Sequence, residues 1–351
     1  MIERPAAASI FQRVTITSIR QETEDVKTFT LAPEDGTELT YQAGQFITFV
    51  AYHAGKEERR SYSFSSSPLL NEVPAITVKR VDNGFFSRYL IDEAQPGDQL
   101  DTIGASGFFT LPDDVANYKQ LFFFAAGVGI TPIISIIKTA LQTHPNINVT
   151  LVYSNSNIAS TVFYAELQQL EAKYLRLKIV YLFSDAKNLM KARLSKWMVP
   201  ELLNKELMAG KEETLFYLCG PFAYMRTVVL SLEEYGVPAA NIRKENFNTS
   251  LAVLKQVPPD TDAHEVTIEL NGTKYQFPSQ YPSTILQSAK DRGLNLPYSC
   301  STGRCGTCAA HCTAGKVWHS YNEVLTDVEL DSGIVLTCTA YPIGGDVTIQ
   351  F

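Results

Sequence analysis

Cys300-Ser301-Thr302-Gly303-Arg304-Cys305-Gly306-Thr307-Cys308 sets three thiols in one loop, and Cys338 follows further along the chain. Four thiolates, two per iron, hold a 2Fe-2S cluster, and Cys-x4-Cys-x2-Cys with a distant fourth cysteine is a spacing that wraps one. Rival metals fit less well. Structural zinc sites usually pair two Cys-x2-Cys knuckles, and this chain has a single such step. A Rieske centre would need two histidine ligands, for which His311 and His319 lack the spacing. The bacterial 4Fe-4S run ends in Cys-x3-Cys-Pro. Cys308-x3-Cys312 mimics that end, but the first step is x4 and Thr313 stands where the proline belongs. Cys312 thus reads as a spectator, and structural zinc remains the alternative. Gly303 and Gly306 are expected where backbone N–H groups approach the sulfurs.

Around this loop the sequence opens with Val266–Leu270, Asn271-Gly272 and Thr273–Phe277, a hairpin signature. Ser283 is expected to cap a helix ending near Gly293. Upstream, residues 249–263, with Pro258-Pro259-Asp260, read as a stiff linker. Before that, residues 113–248 alternate apolar strand candidates (Leu121–Ala125, Val149–Tyr153, Lys178–Phe183, Leu215–Cys219) with helix-length segments, which predicts an α/β domain built on a parallel sheet. Residues 1–112 carry short β-branched and aromatic runs between Gly and Asp turns, the pattern of an antiparallel β-barrel. Three domains follow: 1–112, 113–248 and, after the linker, 264–351.

Composition narrows the function classes. A net charge of −7 argues against a nucleic-acid partner, which demands a basic surface. No apolar run approaches the roughly 20 residues of a membrane span. The start Met1-Ile2-Glu3-Arg4-Pro5 lacks the features of a signal peptide, so a cytoplasmic monomer is expected. Four of the six cysteines crowd into residues 300–312, which suits metal binding better than a disulfide framework. The five histidines are expected on loops or the surface, and the Lys/Glu pairs between Glu201 and Glu213 on a solvated helix face.

From Val266 onward, Leu296-Pro297-Tyr298-Ser299-Cys300 and Leu336-Thr337-Cys338 resemble a plant-type ferredoxin domain. That resemblance implies a β-grasp (α+β) fold with Cys300, Cys305, Cys308 and Cys338 as cluster ligands. A ferredoxin cluster carries one electron, whereas a nicotinamide gives two as hydride. Flavin is the cofactor that takes the pair and returns electrons singly.

Arg60-Ser61-Tyr62-Ser63 resembles the RxYS element of the ferredoxin–NADP⁺ reductase superfamily, and Gly44-Gln45-Phe46 before it fits as well. Strand alternation puts Arg60 and Tyr62 on one face. The resemblance implies that Arg60 pairs with the FAD pyrophosphate, that Tyr62 stacks on the isoalloxazine and that Ser63 hydrogen-bonds near N5. Val78-Lys79-Arg80 with Gly84-Phe85-Phe86-Ser87 resembles the second flavin element, in which Val78, Lys79, Gly84, Phe86 and Ser87 would contact the cofactor.

A nicotinamide site is expected where Leu121–Ala125 runs into Gly127-Val128-Gly129-Ile130-Thr131-Pro132. A strand, a glycine turn and a helix start form an anion cradle, with Thr131 as N-cap and Pro132 as first helical residue. Leu218-Cys219-Gly220-Pro221, about 90 residues later, resembles the superfamily's Cys-Gly-Pro turn beside the nicotinamide. There Cys219 would position the ring, and together with Tyr62 and Ser63 it forms the expected catalytic set. Glu245-Asn246-Phe247 resembles the closing Glu-x-Phe element, with Glu245 and Phe247 near the flavin. Asp185, after the third strand of this domain, suits a ribose diol and so NADH over NADPH, although Lys187 and Lys191 could offset it.

The domain order resembles the reductases of multicomponent oxygenases, including those of the phenylacetyl-CoA epoxygenase type. It implies electron flow from NAD(P)H through FAD and the 2Fe-2S cluster to a terminal acceptor protein, an oxygenase component. A hybrid-cluster protein or a desaturase is the alternative acceptor. A non-catalytic redox sensor or electron-carrier module is the alternative of another class.

Overall fold

The computed structural model describes residues 11–53, 55–186, 192–247 and 256–351. Strands β1 (Gln12–Thr23), β2 (Val26–Pro33), β3 (Phe46–His53), β4 (Lys56–Ser63), β5 (Ala75–Lys79) and β6 (Gln99–Ser106) form one antiparallel sheet in the order β4-β3-β6-β1-β2-β5. A bridge between Phe64 and Ile76 links its two edges, which closes the barrel. Alternation explains its inside: Val14, Ile16, Phe29, Leu31, Ile47 and Phe49 fill the core while their neighbours face outward. A single turn of helix, α1 (Phe85–Arg88), follows β5.

The second domain is a five-stranded parallel sheet: β7 (Gln120–Ala126), β8 (Asn148–Asn155), β9 (Leu177–Phe183), β10 (Thr214–Cys219) and β11 (Ile242–Glu245), in the order β11-β10-β7-β8-β9. Helices α2 (Ile130–Thr143), α3 (Tyr164–Lys173), α4 (Met198–Glu206) and α5 (Phe222–Tyr235) cover it. Because both faces are buried, β7 is apolar without alternation. Phe122 and Phe124 face one core, Phe123 and Ala125 the other.

The third domain has strands β12 (His264–Leu270), β13 (Thr273–Ser279), β14 (Ala309–Ala314), β15 (Val317–His319), β16 (Ile334–Leu336), β17 (Ala340–Pro342) and β18 (Val347–Gln350), with helices α6 (Ile285–Lys290) and α7 (Asp327–Asp331). The sheet order is β13-β12-β18-β14-β16, with β12 and β18 parallel at its centre. This is the expected β-grasp arrangement, so all three predicted fold classes are present. At the expected hairpin, Asn271 and Gly272 both adopt positive φ (49° and 76°), as a two-residue turn between right-twisted strands requires. The helix cap falls one residue later than expected, on Thr284, whose Oγ1 accepts from the Gln287 N–H at 3.2 Å. The linker's residues 249–255, like Lys187 and Lys191, lie outside the described residues.

Polar contacts lock the first two domains together. Ser135 Oγ donates to the Ser66 carbonyl (2.6 Å), Ser67 and Thr139 share a hydroxyl contact (2.7 Å), and buried Lys138 pairs with Glu72 (2.7 Å) and Glu166 (3.4 Å).

Two surface expectations fail. Glu206 is buried, salt-bridged to Lys178, with Lys205 at 3.7 Å. A charge run in sequence does not reveal that the last turn of α4 folds under β9. His319 sits on β15 rather than on a loop, and its Nε2 accepts the Leu336 N–H at 2.9 Å. Burial pushes its pKa down to about 4. A folded value below the ordinary 6.5 means that the unfolded chain takes up the proton first. His319 therefore contributes stability that is intact above about pH 6.5 and lost as the pH falls towards 4, amounting to about 2–3 kcal/mol after allowance for partial exposure. Thermal midpoints of the native protein should fall more between neutral and mildly acidic pH than those of His319→Gln. Equal falls would disprove this role.

Candidate functional site

Strand β4 carries the first group of residues. Its pairing with β3 sets Phe49 opposite Arg60 and Ile47 opposite Tyr62, so Arg60 and Tyr62 share a face. The Arg60 guanidinium stays half exposed, donating to Glu58 (3.0 Å) and to the Arg59 carbonyl (2.8 Å). The Tyr62 ring rests near Phe49 and Phe86, with centroids 6.2 and 6.0 Å away. Ser63 Oγ is buried and has no hydrogen-bond partner among the described residues. A buried orphan hydroxyl costs on the order of 1–3 kcal/mol, and a flavin ring nitrogen would satisfy it. Val78 and Phe86 lie in the barrel core, and Phe86 is the ring beneath Tyr62. Lys79 points outward, 3.2 Å from Asp25. Gly84 precedes α1, and Ser87 Oγ closes that loop by accepting from Val81 N–H and donating to the Gly84 carbonyl, each at 3.2 Å.

The second group gathers at the C-terminal ends of β7 and β10, where parallel sheets place ligands. Gly127 takes a positive φ of 53°. Gly129 is pressed against the neighbouring turn: a Cβ there would lie 2.2 Å from the Cys219 carbonyl oxygen and 2.9 Å from the Gly220 nitrogen. The glycine turn and Cys219-Gly220-Pro221 thus form one surface of bare backbone, which fits a dinucleotide. The turn 127–129 is a 3-10 segment running straight into α2, so the helix begins at Ile130. Thr131 is therefore not the N-cap but lies inside the first turn, donating its hydroxyl to the Val128 carbonyl (3.0 Å), and Pro132 is the third helical residue, not the first. Burial pushes the Cys219 thiol well above its usual pKa, with nearby Glu245 adding to the shift, so it is a neutral, positioning sulfur.

Glu245 is paired in register with Cys219 on the adjacent strand. Its carboxyl is pushed up to about 8 by burial and then by the nearness of Cys300. A buried carboxyl thus lies beside the nicotinamide turn, on the strand next to Cys219. Phe247, two residues on, is 43% exposed.

The third group is the thiol set. Cys300 interacts with Cys305 and Cys338, and Cys308 with Cys305 and Cys338, so the four sulfurs share one buried space. Hydrogen bonds with Cys305 and Cys338 push Cys300 below the ordinary thiol range and those two partners above it, as thiols crowded together do. The Thr302 N–H reaches the Cys300 sulfur at 3.4 Å and the Thr307 hydroxyl lies 3.3 Å from Cys305. The donor set fits a 2Fe-2S cluster. Cys312 stands apart on β14, its thiol 3.4 Å from the Ala314 carbonyl. Both loop glycines, Gly303 and Gly306, adopt positive φ (74° and 76°). They also make room for neighbouring protein: a Cβ on Gly306 would strike the Phe108 ring at 2.7 Å and one on Gly303 the Tyr321 carbonyl at 2.7 Å.

Sequence reasoning missed how these groups meet. Ser61, between Arg60 and Tyr62, shares a 2.9 Å hydroxyl contact with Ser299, the residue before Cys300. Arg304 binds Glu323 at 2.8 Å, and Glu323 accepts from Asn246 at 3.2 Å, which ties the cluster loop to the nicotinamide domain. Arg59 is buried against Tyr298, its guanidinium carbon 3.6 Å from the ring centroid. Only the doubled arginine Arg59-Arg60 hinted at it.

Known proteins show the same assembly. Residues 13–111 match an oxidoreductase FAD-binding domain, 123–229 an oxidoreductase NAD-binding domain and 268–342 a 2Fe-2S iron-sulfur cluster binding domain. The chain is 32% identical to one of the subunits of the 1,2-phenylacetyl-CoA epoxidase of Escherichia coli, over 97% of this chain and 98% of that protein. It is 31% identical to the ferredoxin reductase component of 3-ketosteroid-9-alpha-monooxygenase of Rhodococcus rhodochrous, over 96% of each. The solved structure of phthalate dioxygenase reductase, described as a module for electron transfer from pyridine nucleotides to 2Fe-2S, aligns at 26% identity with a TM-score of 0.60, covering 97% of this chain and 98% of its own. No helix among the described residues is long and apolar enough to cross a membrane.

Proposed function

Because the chain belongs to the ferredoxin–NADP⁺ reductase superfamily with a C-terminal 2Fe-2S domain, we propose that it is the reductase component of a multicomponent oxygenase. It is an NAD(P)H-dependent oxidoreductase with FAD, nicotinamide and 2Fe-2S domains. The observation that carries the proposal is the Ser61–Ser299 contact, which seats the cluster loop on the strand bearing Arg60, Tyr62 and Ser63. Relatives at 31–32% identity serve oxygenases acting on unlike substrates, a phenylacetyl thioester and a steroid, so the oxygenase is the shared term. Cysteines that ligate a cluster rather than pair in disulfides suit the reducing cytoplasm.

In this reading FAD supplies the conversion of a hydride into two single electrons. Arg60 would hold its pyrophosphate and Gly84 and Ser87 would border it, while Val78 and Phe86 would support the site from the barrel core and Lys79 would lie at its outer edge. Tyr62 supports the ring face and Ser63 Oγ donates to it. Gly127, Gly129, Thr131 and Pro132 form the cradle for the nicotinamide coenzyme, while Cys219, Gly220 and Pro221 hold its ring at the flavin. Glu245 and Phe247 screen the junction from water. Cys300, Cys305, Cys308 and Cys338 hold the cluster. Proximity does most of the catalytic work, since no general acid or base is required.

NADH is the proposed donor. Asp185 lines a pocket of about 500 Å³ with Asn157, Ile158, Ala159, Phe183 and Ala186, at the end of β9. A carboxylate there accepts hydrogen bonds from a ribose diol and repels a 2′-phosphate. A penalty of ~1.4 kcal/mol is already tenfold, so anaerobic titration should bleach flavin and cluster with NADH at a kcat/KM at least about tenfold above that of NADPH. Asp185→Ser should narrow the gap. A colourless protein after reconstitution with FAD, iron and sulfide would sink the function itself, and equal use of both coenzymes would sink the assignment of Asp185. Electron delivery to a purified oxygenase component, but not to a desaturase or a hybrid-cluster protein, identifies the acceptor.

A further inference from the structure

We propose that Arg59 is a positioning residue that clamps the 2Fe-2S domain onto the flavin strand and thereby sets the flavin-to-cluster gap. None of the flavin, nicotinamide or cluster motifs includes it. Its side chain is 3% exposed, although it carries a full charge. Burying a charge in an interface costs several kcal/mol unless its partners are well placed, and here each is. Arg59 Nε donates to Glu57 at 2.8 Å, Nη1 donates to the Tyr298 carbonyl at 2.9 Å, and the guanidinium lies over the Tyr298 ring. Tyr298 completes the circuit, donating its hydroxyl to Glu57 at 2.6 Å and accepting from Lys290 at 3.1 Å.

An ordinary domain contact could look similar, but the covalent neighbours of this one are telling. Arg59 adjoins Arg60 of the flavin element, and Tyr298 is two residues from the ligand Cys300. Few bonds therefore separate the clamp from either redox centre, and a shift at Arg59–Tyr298 passes directly into their separation. A planar guanidinium that stacks and donates in two directions restrains both slide and tilt, which a lysine cannot do. The other polar ties across this face are single contacts: Ser61–Ser299 at 2.9 Å and Ser106–Thr307 at 3.4 Å.

The inference rests on the electron-transfer reading above, and the test separates the two. Arg59→Ala and Glu57→Gln should retain FAD and cluster, and NADH should reduce the flavin at the native rate. The later phase, in which the oxidised cluster gains one electron from the reduced flavin, should slow by about tenfold or more, the scale that small misplacements produce. Amide hydrogen exchange in residues 56–63 and 294–299 should quicken in both variants, a readout independent of turnover. Glu57→Gln keeps the shape and covers the case in which Arg59→Ala folds poorly. Native cluster-reduction rates and native protection in either folded variant would overturn the clamp. Failure of the native protein to pass electrons from NADH to its cluster would instead overturn the function.

Discussion

Replacing Cys305 by serine is expected to remove the 2Fe-2S spectrum and to cut NADH-driven reduction of cytochrome c by more than about 100-fold, because losing a ligand exceeds the 10–100-fold effect of losing an outer-shell partner. Cys305 is 8% exposed and shares its space with Cys300 and Cys308, so its loss opens a gap among the ligands that solvent does not readily fill. A serine hydroxyl at that position is harder, shorter and far less acidic than a thiol, and iron–sulfur clusters prefer thiolate. Flavin reduction by NADH should persist, since Gly129, Cys219, Tyr62 and Ser63 belong to the other two domains. Cys312→Ser provides the control: its thiol faces the Ala314 carbonyl, away from the other sulfurs, and the cluster should survive. Stopped-flow absorbance and electron paramagnetic resonance report both outcomes. Simultaneous loss of flavin reduction in folded, FAD-loaded protein would contradict the order nicotinamide, flavin, cluster.

These expectations could be framed before the fold was known because the chemistry is written locally. Cys300, Cys305 and Cys308 share one loop, and the alternation that pairs Arg60 with Tyr62 is a property of any strand. The apolar run Leu121–Ala125 announces a strand buried on both faces, and its aromatic side chains do divide between two cores. Asn271-Gly272 dictates a turn by its backbone preferences alone. Such short signals fix the element, yet not always its first residue: the caps expected at Thr131 and Ser283 fall instead on Gly129 and Thr284.

What stayed hidden is long-range. Arg59 and Tyr298 are 239 positions apart, and nothing near either residue indicates a partner. Glu206 looks like any surface glutamate until α4 places it beneath Lys178. His319 becomes an acceptor only because β16 brings the Leu336 amide to it. Gly306 suggests loop geometry, yet its missing side chain makes room for Phe108, a residue on the far side of a domain boundary. In each case the deciding neighbour arrives through packing between elements, a nonlocal term that propensity and spacing do not contain.

Gly129→Ala tests the nicotinamide site most severely. The backbone of Gly129, with φ −60° and ψ −9°, is one that alanine adopts freely, so substitution adds no conformational strain. The whole effect is steric. The new methyl would sit 2.2 Å from the Cys219 carbonyl oxygen and 2.5 Å from its carbon, both rigid backbone atoms at the end of a strand held in parallel register with β7. Relief requires the glycine turn and the Cys-Gly-Pro turn to separate by roughly an ångström, and a misplacement of that size costs about 100-fold in rate. Overpacking of this kind destabilises by about 1–3 kcal/mol, which a domain with two apolar cores tolerates. The variant should therefore fold, bind FAD and show a cluster that dithionite reduces normally, while NADH reduces its flavin about 100-fold more slowly and with a raised KM. Native hydride-transfer kinetics would mean that the two turns do not jointly hold the coenzyme. Loss of cluster and flavin together would mean that the contact maintains the whole fold rather than the site.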